Sequence, residues 1–284
     1  MHPGIDRSSR IKKADEKGLK VVVGLQRRSH PDYIETIKRI HDGAIGDIEY
    51  LRVFWYGGLI GTVSQKPQWT LMEYQLRNWN MFGWISGDHI VEQHVHNIDI
   101  GLWVKGDHPV ESQGMGGRQV RKGKDNGDIF DHHAVEFTFA DGTRMFSQCR
   151  QMNGCRNSIS ELAHGTKGES DCCGRIRGTN PWRNRGSRNQ HVNSYQLEHD
   201  KLFKAIRNDE KLNEGWHAAT STMAGILGRM ATYSGQLVKW DDAIAKGPSQ
   251  LPERLAMDAA PPVLPDPDGT YESSVAVPGI YVPY

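Results

Sequence analysis

The chain has 284 residues, enough for one large domain or two modest ones with a real core. Lys plus Arg, 35, nearly balance Asp plus Glu, 34, for a formal charge of +1, and no basic stripe gathers that could neutralise a phosphate backbone, which argues against a nucleic-acid partner. The longest apolar runs, such as Val21 to Leu25, fall far short of the roughly 20 residues that cross a bilayer, and Met1-His2-Pro3-Gly4 lacks the charged-then-apolar secretory pattern. No membrane is expected as a partner, and the chain reads as cytoplasmic as it stands, unless an export signal was lost with an earlier part of the gene.

Residues 7 to 17 read as the end of a polar helix, closed by Gly18. The short apolar run Val21 to Leu25 that follows reads as a buried, parallel strand, so that the chain is expected to begin in the middle of an α/β sheet. His30-Pro31 starts a helix through Ile34, Ile37, Ile40 and His41, with Gly43 as its stop. Ile48 to Tyr56 alternates as a half-buried strand should. Residues 57 to 84, rich in Gly, Trp and Asn, read as a long irregular loop with a functional purpose. Ser86-Gly87-Asp88 is expected to cap one helix from about His89 to Val104. Ala134 to Phe139 and Arg144 to Gln151 flank Ala140-Asp141-Gly142-Thr143, a hairpin signal. Shorter strands fit Ser158 to His164 and Cys173 to Arg177, helices fit Ser194 to Arg207 and His217 to Tyr233, and a Pro-rich tail from Pro248 is expected to wrap the surface. The sum is an α/β (α+β) chain: a large, mostly antiparallel, open-faced sheet backed by helices, with a remnant of a parallel sheet at the N-terminus.

Eight tryptophans and thirteen histidines, many of them between residues 54 and 133, supply flat apolar faces and titratable donors, a mix suited to a polyhydroxylated ligand. Cys149, Cys155, Cys172 and Cys173 lack Cys-x-x-Cys spacing and read as reduced packing residues. The densest stretch is Gly87 to Asp99. On one continuous helix Glu92, His96 and Asp99 would share a face, with His89 a turn earlier. A carboxylate four residues before an imidazole can hold its tautomer and raise its basicity, the setting of a general base; a solvated polar face or a network satisfying buried groups is the plainer account of the same spacing. Glu92, His89, His94 and His96 also offer metal-ligand atoms, but on a helix His94 and His96 point roughly 200° apart and cannot share an ion, so no metal is expected.

The run Val21 to Arg28 followed by a helix, the motif Ser86-Gly87-Asp88-His89 through Asp99 and the Asp141-Gly142-Thr143 hairpin together resemble the Gfo/Idh/MocA family of oxidoreductases, from about residue 10 to the Val277-Pro278-Gly279 tail. The resemblance implies residues 1–28 as a remnant of the dinucleotide-binding (Rossmann) domain and 29–284 as the C-terminal α/β substrate-binding and oligomerisation domain. It further implies a nicotinamide cofactor, NAD or NADP, a sugar or polyol oxidised at a secondary hydroxyl, and a homo-oligomer formed through the open sheet. By the same resemblance Glu92, His96 and Asp99 are catalytic, while Gln26, Arg27 and Arg28 face the cofactor. Arg77, Trp79, His132 and Arg150 are candidates to line the sugar pocket by stacking and hydrogen bonding. The sequence departs from the family in lacking the Gly-x-Gly-x-x-Gly turn and the Glu-Lys-Pro tripeptide, so tight nicotinamide binding by this chain alone is not expected and a truncated, inactive form is one outcome. Two other functions stay open on the same fold: a NAD-dependent glycosidase working by oxidation and elimination, and a non-enzymatic carbohydrate-binding or oligomer-forming remnant.

Overall fold

The computed structural model describes residues 7–174, 176–178 and 192–284. Helices are α1 (Arg7–Glu16), α2 (Pro31–His41), α3 (Leu71–Arg77), α4 (Gly83–Ser86), α5 (His89–Glu92), α6 (Val95–Lys105), α7 (Ser194–Arg207), α8 (Gly215–Ser234) and α9 (Trp240–Lys246). Strands are β1 (Ile48–Gly57), β2 (Glu111–Gly117), β3 (His132–Thr138), β4 (Arg144–Gln151), β5 (Ser158–Gly165), β6 (Gly168–Ser170), β7 (Ile176–Gly178) and β8 (Val238–Lys239). They form one mixed sheet in the order β7-β6-β5-β1-β4-β3-β2-β8. The fold class is therefore the expected one, helices with a large open sheet. By compactness the chain divides into a first unit, Met1–Leu51, Ile98–His108 and Glu161–Met223, and a second, Arg52–Asn97, Pro109–Ser160 and Ala224–Tyr284.

In the first unit α2 starts as its sequence demands. The His30 ring accepts from the Asp32 backbone N–H, Pro31 occupies the first turn, and Tyr33, Ile37 and Ile40 face the interior. Its last residue, His41, sets Nε2 3.0 to 3.1 Å from the Trp103 and Val104 carbonyls at the end of α6. The strand expected at Val21 to Leu25 is reduced to a single parallel bridge between Val21 and Asn213. Extended backbone is a strand only where a neighbour supplies a hydrogen-bonding edge, and among the described residues this segment has one bridge partner. Gln26–Ser29 then tightens into a 3-10 turn.

In the second unit the hairpin forms as expected. β3 and β4 pair antiparallel from His132↔Arg150 to Thr138↔Arg144, and Gly142 turns the chain at φ 85°. Strict alternation buries Val135, Phe137, Met145, Ser147 and Cys149 on one face and leaves His132, Glu136, Phe146 and Arg150 on the other. α8 packs on the buried face, where Gly228 brings its backbone so close that a Cβ would stand 2.9 Å from Phe137 and 3.1 Å from Ile90.

Five expectations need correcting here. β2 was not anticipated, because Gly114, Gly116 and Gly117 weaken strand propensity. It forms because β3 offers an edge in register and because small residues are needed: a Cβ on Gly114 would lie 2.5 Å from the Ala134 carbonyl and 3.1 Å from Thr232 of α8. The loop 57–84 contains α3, which Thr70 caps by accepting from the Glu73 N–H, and a 3-10 turn at Trp79–Met81. The tail does more than wrap the surface, since Tyr271 is buried in a cluster with Tyr74, Met81, Phe82 and Ile129. The helix expected from His89 to Val104 is two, broken at Gln93 and His94. Of the strand expected at 173–177 only Ile176 and Arg177 lie in one, β7; Cys173 and Gly174 are outside any strand, and residue 175 lies outside the described residues.

Candidate active site

The break in that helix organises the site. Gly87 ends α4 in the left-handed region, and Asp88 follows at φ 70°, ψ 165°, a conformation almost reserved for glycine that costs of order 1–3 kcal/mol. Fixed partners hold it there. Asp88 Oδ1 accepts from the His89 backbone N–H and lies 2.8 Å from His89 Nδ1, while Oδ2 accepts from the Phe130 N–H at 2.8 Å and the Tyr233 hydroxyl at 2.7 Å. Burial alone would raise this carboxyl, but the His133 and His89 rings hold it well below the usual carboxylate range.

One turn of α5 later the chain inserts an extra residue. The His94 N–H reaches back five positions to the His89 carbonyl, and His96 resumes with a bond to Gln93. Side chains from β4 fix the insertion. His94 Nε2 stands 2.8 Å from the Ser147 hydroxyl, and the Gln151 amide donates to Gln93 Oε1 at 2.9 Å.

Glu92 ends α5 half-buried. Burial, then the nearby Asp88 charge, push its carboxyl up to about 7, against the lowering pull of Arg121 and Gln151. Its Oε1 is buried without a hydrogen-bond partner among the described residues. Arg121, almost wholly buried, donates to the Gln151 side-chain oxygen and belongs to this group. No sequence signal singled it out, since it sits in an irregular stretch after β2. His96 stacks on Trp55 of β1, ring centroids 6.1 Å apart.

The remaining site candidates fall in different settings. Asp99 is almost fully buried in the first unit, accepts a bidentate pair from Arg28 at 2.8 to 3.0 Å, and accepts from the Ser221 hydroxyl at 2.6 Å. The Arg28 guanidinium also lies over the Trp103 ring at 4.9 Å. Arg27 pairs with buried Glu161, which also accepts from the Tyr33 hydroxyl at 3.1 Å. Gln26 Nε2 donates to the Tyr195 hydroxyl at 3.1 Å, and its Oε1 is a buried acceptor without a partner among the described residues. Arg77 lies over Trp69 at 4.7 Å and pairs with Glu73, and Trp79 is largely exposed. His132 and Arg150 are cross-strand partners, Arg150 over the Tyr56 ring. Both lie on the outer face of the hairpin, whereas the α5 turn packs on the inner face through Ser147 and Gln151, so the structure does not bring them to Glu92.

No protein-family model matches the sequence, and none of the curated proteins does. Solved structures do match. An aldose-aldose oxidoreductase from Caulobacter crescentus complexed with glycerol has 17% identity and a TM-score of 0.62, covering 82% of this chain and 68% of that one. A levoglucosan dehydrogenase, complexed with NADH and levoglucosan, has 17% identity and a TM-score of 0.61 over 83% of this chain and 70% of its own. A UDP-N-acetylglucosamine 3-dehydrogenase from Acidithiobacillus ferrooxidans has 16% identity and a TM-score of 0.58, with coverages of 81% and 67%. The chain thus has the fold of the Gfo/Idh/MocA-type dehydrogenases. Among the described residues no helix is long and apolar enough to cross a membrane.

Proposed function

We propose that the protein is an oxidoreductase acting on a secondary hydroxyl of a sugar or polyol, with His96 as general base and Glu92 as the group that orients substrate and imidazole. One observation carries this: a half-buried carboxylate that titrates near neutrality stands four residues before an imidazole, on a fold shared with sugar dehydrogenases. Near pH 7 Glu92 is poised between its two forms, so it can donate to a substrate oxygen when protonated and accept from a hydroxyl when ionised. His96, its ring braced by Trp55, takes the hydroxyl proton.

A nicotinamide, when bound, supplies the hydride acceptor. Of the three residues expected to face it, Gln26 fits best, because its buried Oε1 is an acceptor suited to an amide N–H. Arg27 and Arg28 are held by Glu161 and Asp99, so they orient neighbouring backbone rather than offer open guanidinium groups. Asp99 acts through that lock. Arg77 and Trp79 offer a cation and an exposed ring to a sugar. The outer face of the sheet, with Met115 75% exposed and Phe146 also exposed, would pair with a second copy of the chain. His132 and Arg150 belong to that face. Residues 1–28 correspond in this proposal to the cofactor domain and 29–284 to the substrate domain.

The test is a panel of sugars and polyols with NAD and NADP, followed by nicotinamide absorbance and by titration calorimetry. Hydride transfer that His96→Ala abolishes is expected. Failure of the protein to bind any nicotinamide or any sugar would sink the proposal, and net hydrolysis with catalytic NAD would redirect it to glycosidic cleavage.

A further inference from the structure

Behind the α5 turn lies a fully buried group that the proposed reaction does not use. Asp88, His89 and His133 each have essentially no solvent exposure, and one ligand atom from each lies within 4.8 Å of the other two. Hydrogen bonding alone leaves this group unsatisfied. The Thr232 hydroxyl donates to the Arg229 carbonyl at 3.0 Å within α8 and stands 2.9 Å from His133 Nδ1. His133 Nε2 faces Asp88 Oδ2 at 3.3 Å and makes no hydrogen bond of good geometry among the described residues.

We propose that Asp88, His89 and His133 form a buried structural site for one divalent transition-metal ion of the zinc type. Both Asp88 oxygens with His89 Nδ1 and His133 Nε2 make four N and O donors, the number a closed zinc site takes. The 2.8 and 3.3 Å gaps between ring nitrogen and carboxylate oxygen are spacings of neighbouring ligands around an ion ~2.1 Å from each. Two of the three residues have outer partners of the kind a metal site uses. With the ion on Nε2, His133 would donate its other N–H to Thr232, and the ligating carboxylate accepts from Phe130 and Tyr233, contacts that fix ring and carboxylate orientation; His89 Nε2 is buried with no partner among the described residues. The strained backbone at Asp88 is then the cost of bringing adjacent residues 88 and 89 onto one ion. His94 and His96 take no part, so the sequence argument against a shared ion on those two histidines does not bear on this one.

The ion would tie the start of α5 to β3 and, through Thr232, to α8. It has no open position, so its role is structural, and it stands apart from the nicotinamide assignment. The test uses the full chain with any affinity tag removed, produced with zinc(II) or with cobalt(II) in the medium and desalted. Elemental analysis is expected to give about one zinc per chain, and the cobalt form the visible absorption of a tetrahedral ion. His133→Ala should lose the metal. Thr232→Val, which keeps the ring and the packing volume, should weaken retention about 10–100-fold in a chelator competition. Wild-type protein carrying no stoichiometric zinc or cobalt overturns the proposal whatever the variants do, and so does metal content unchanged in His133→Ala.

Discussion

Two buried carboxylates, Asp99 in the first unit and Asp88 in the second, solve the same problem differently. Asp99 meets a guanidinium in a bidentate pair and a serine hydroxyl, so its charge is matched and its geometry closed. Asp88 meets backbone and phenolic donors and two imidazoles, with a raised Glu92 carboxyl nearby. The matched pair locks one unit together, whereas Asp88, with no guanidinium against it, helps to raise the neighbouring Glu92 carboxyl. The proposed reaction draws on the second arrangement, because a carboxyl raised to about 7 can both give up and take back a proton near neutrality.

That contrast can be broken experimentally. The largest effect should come from His96→Ala, expected to lower turnover about 10²–10⁴-fold in a nicotinamide assay while far-UV circular dichroism stays unchanged. Asp99→Ala should strand the Arg28 guanidinium and cost about 3–5 kcal/mol in denaturant unfolding; a loss under 1 kcal/mol would show that the pair is no lock. Glu92→Gln probes the other arrangement through pH. The native carboxyl holds its proton up to about 7 while the unfolded one ionises near 4.5. Native protein therefore binds more protons between these values, and its stability falls as pH rises through that window. The substitution should flatten that part of the curve, leaving the same-signed contribution of buried Asp128, raised to about 6. An unaltered pH profile would place Glu92 in ordinary solvent. Smallest of all, Glu35→Ala removes an exposed pair with Arg39 and should change stability by about 0–1 kcal/mol.

Much of the frame was legible in the chain itself. Ser194–Arg207 ends where its pattern ends, and the β3–β4 hairpin follows alternation plus an Asp-Gly turn. The face expected to be shared by Glu92, His96 and Asp99 assumed a straight helix, which the extra residue at Gln93 and His94 removes. His132 and Arg150 looked like pocket residues because their types suit sugars. Residue type does not say which face of a sheet a strand position takes, and period two put them outside.

What the sequence by itself determined is therefore local: periodicity, caps and turn residues act over a few positions and need no distant partner. The tertiary structure alone decided β2, the helix break and the surroundings of Asp88, because each depends on groups far along the chain. Tyr233 lies 145 residues beyond the carboxylate it donates to, and Ser147 lies 53 beyond the His94 ring that it helps to hold. Such contacts form only when packing brings the segments together and removes the water that would otherwise satisfy them.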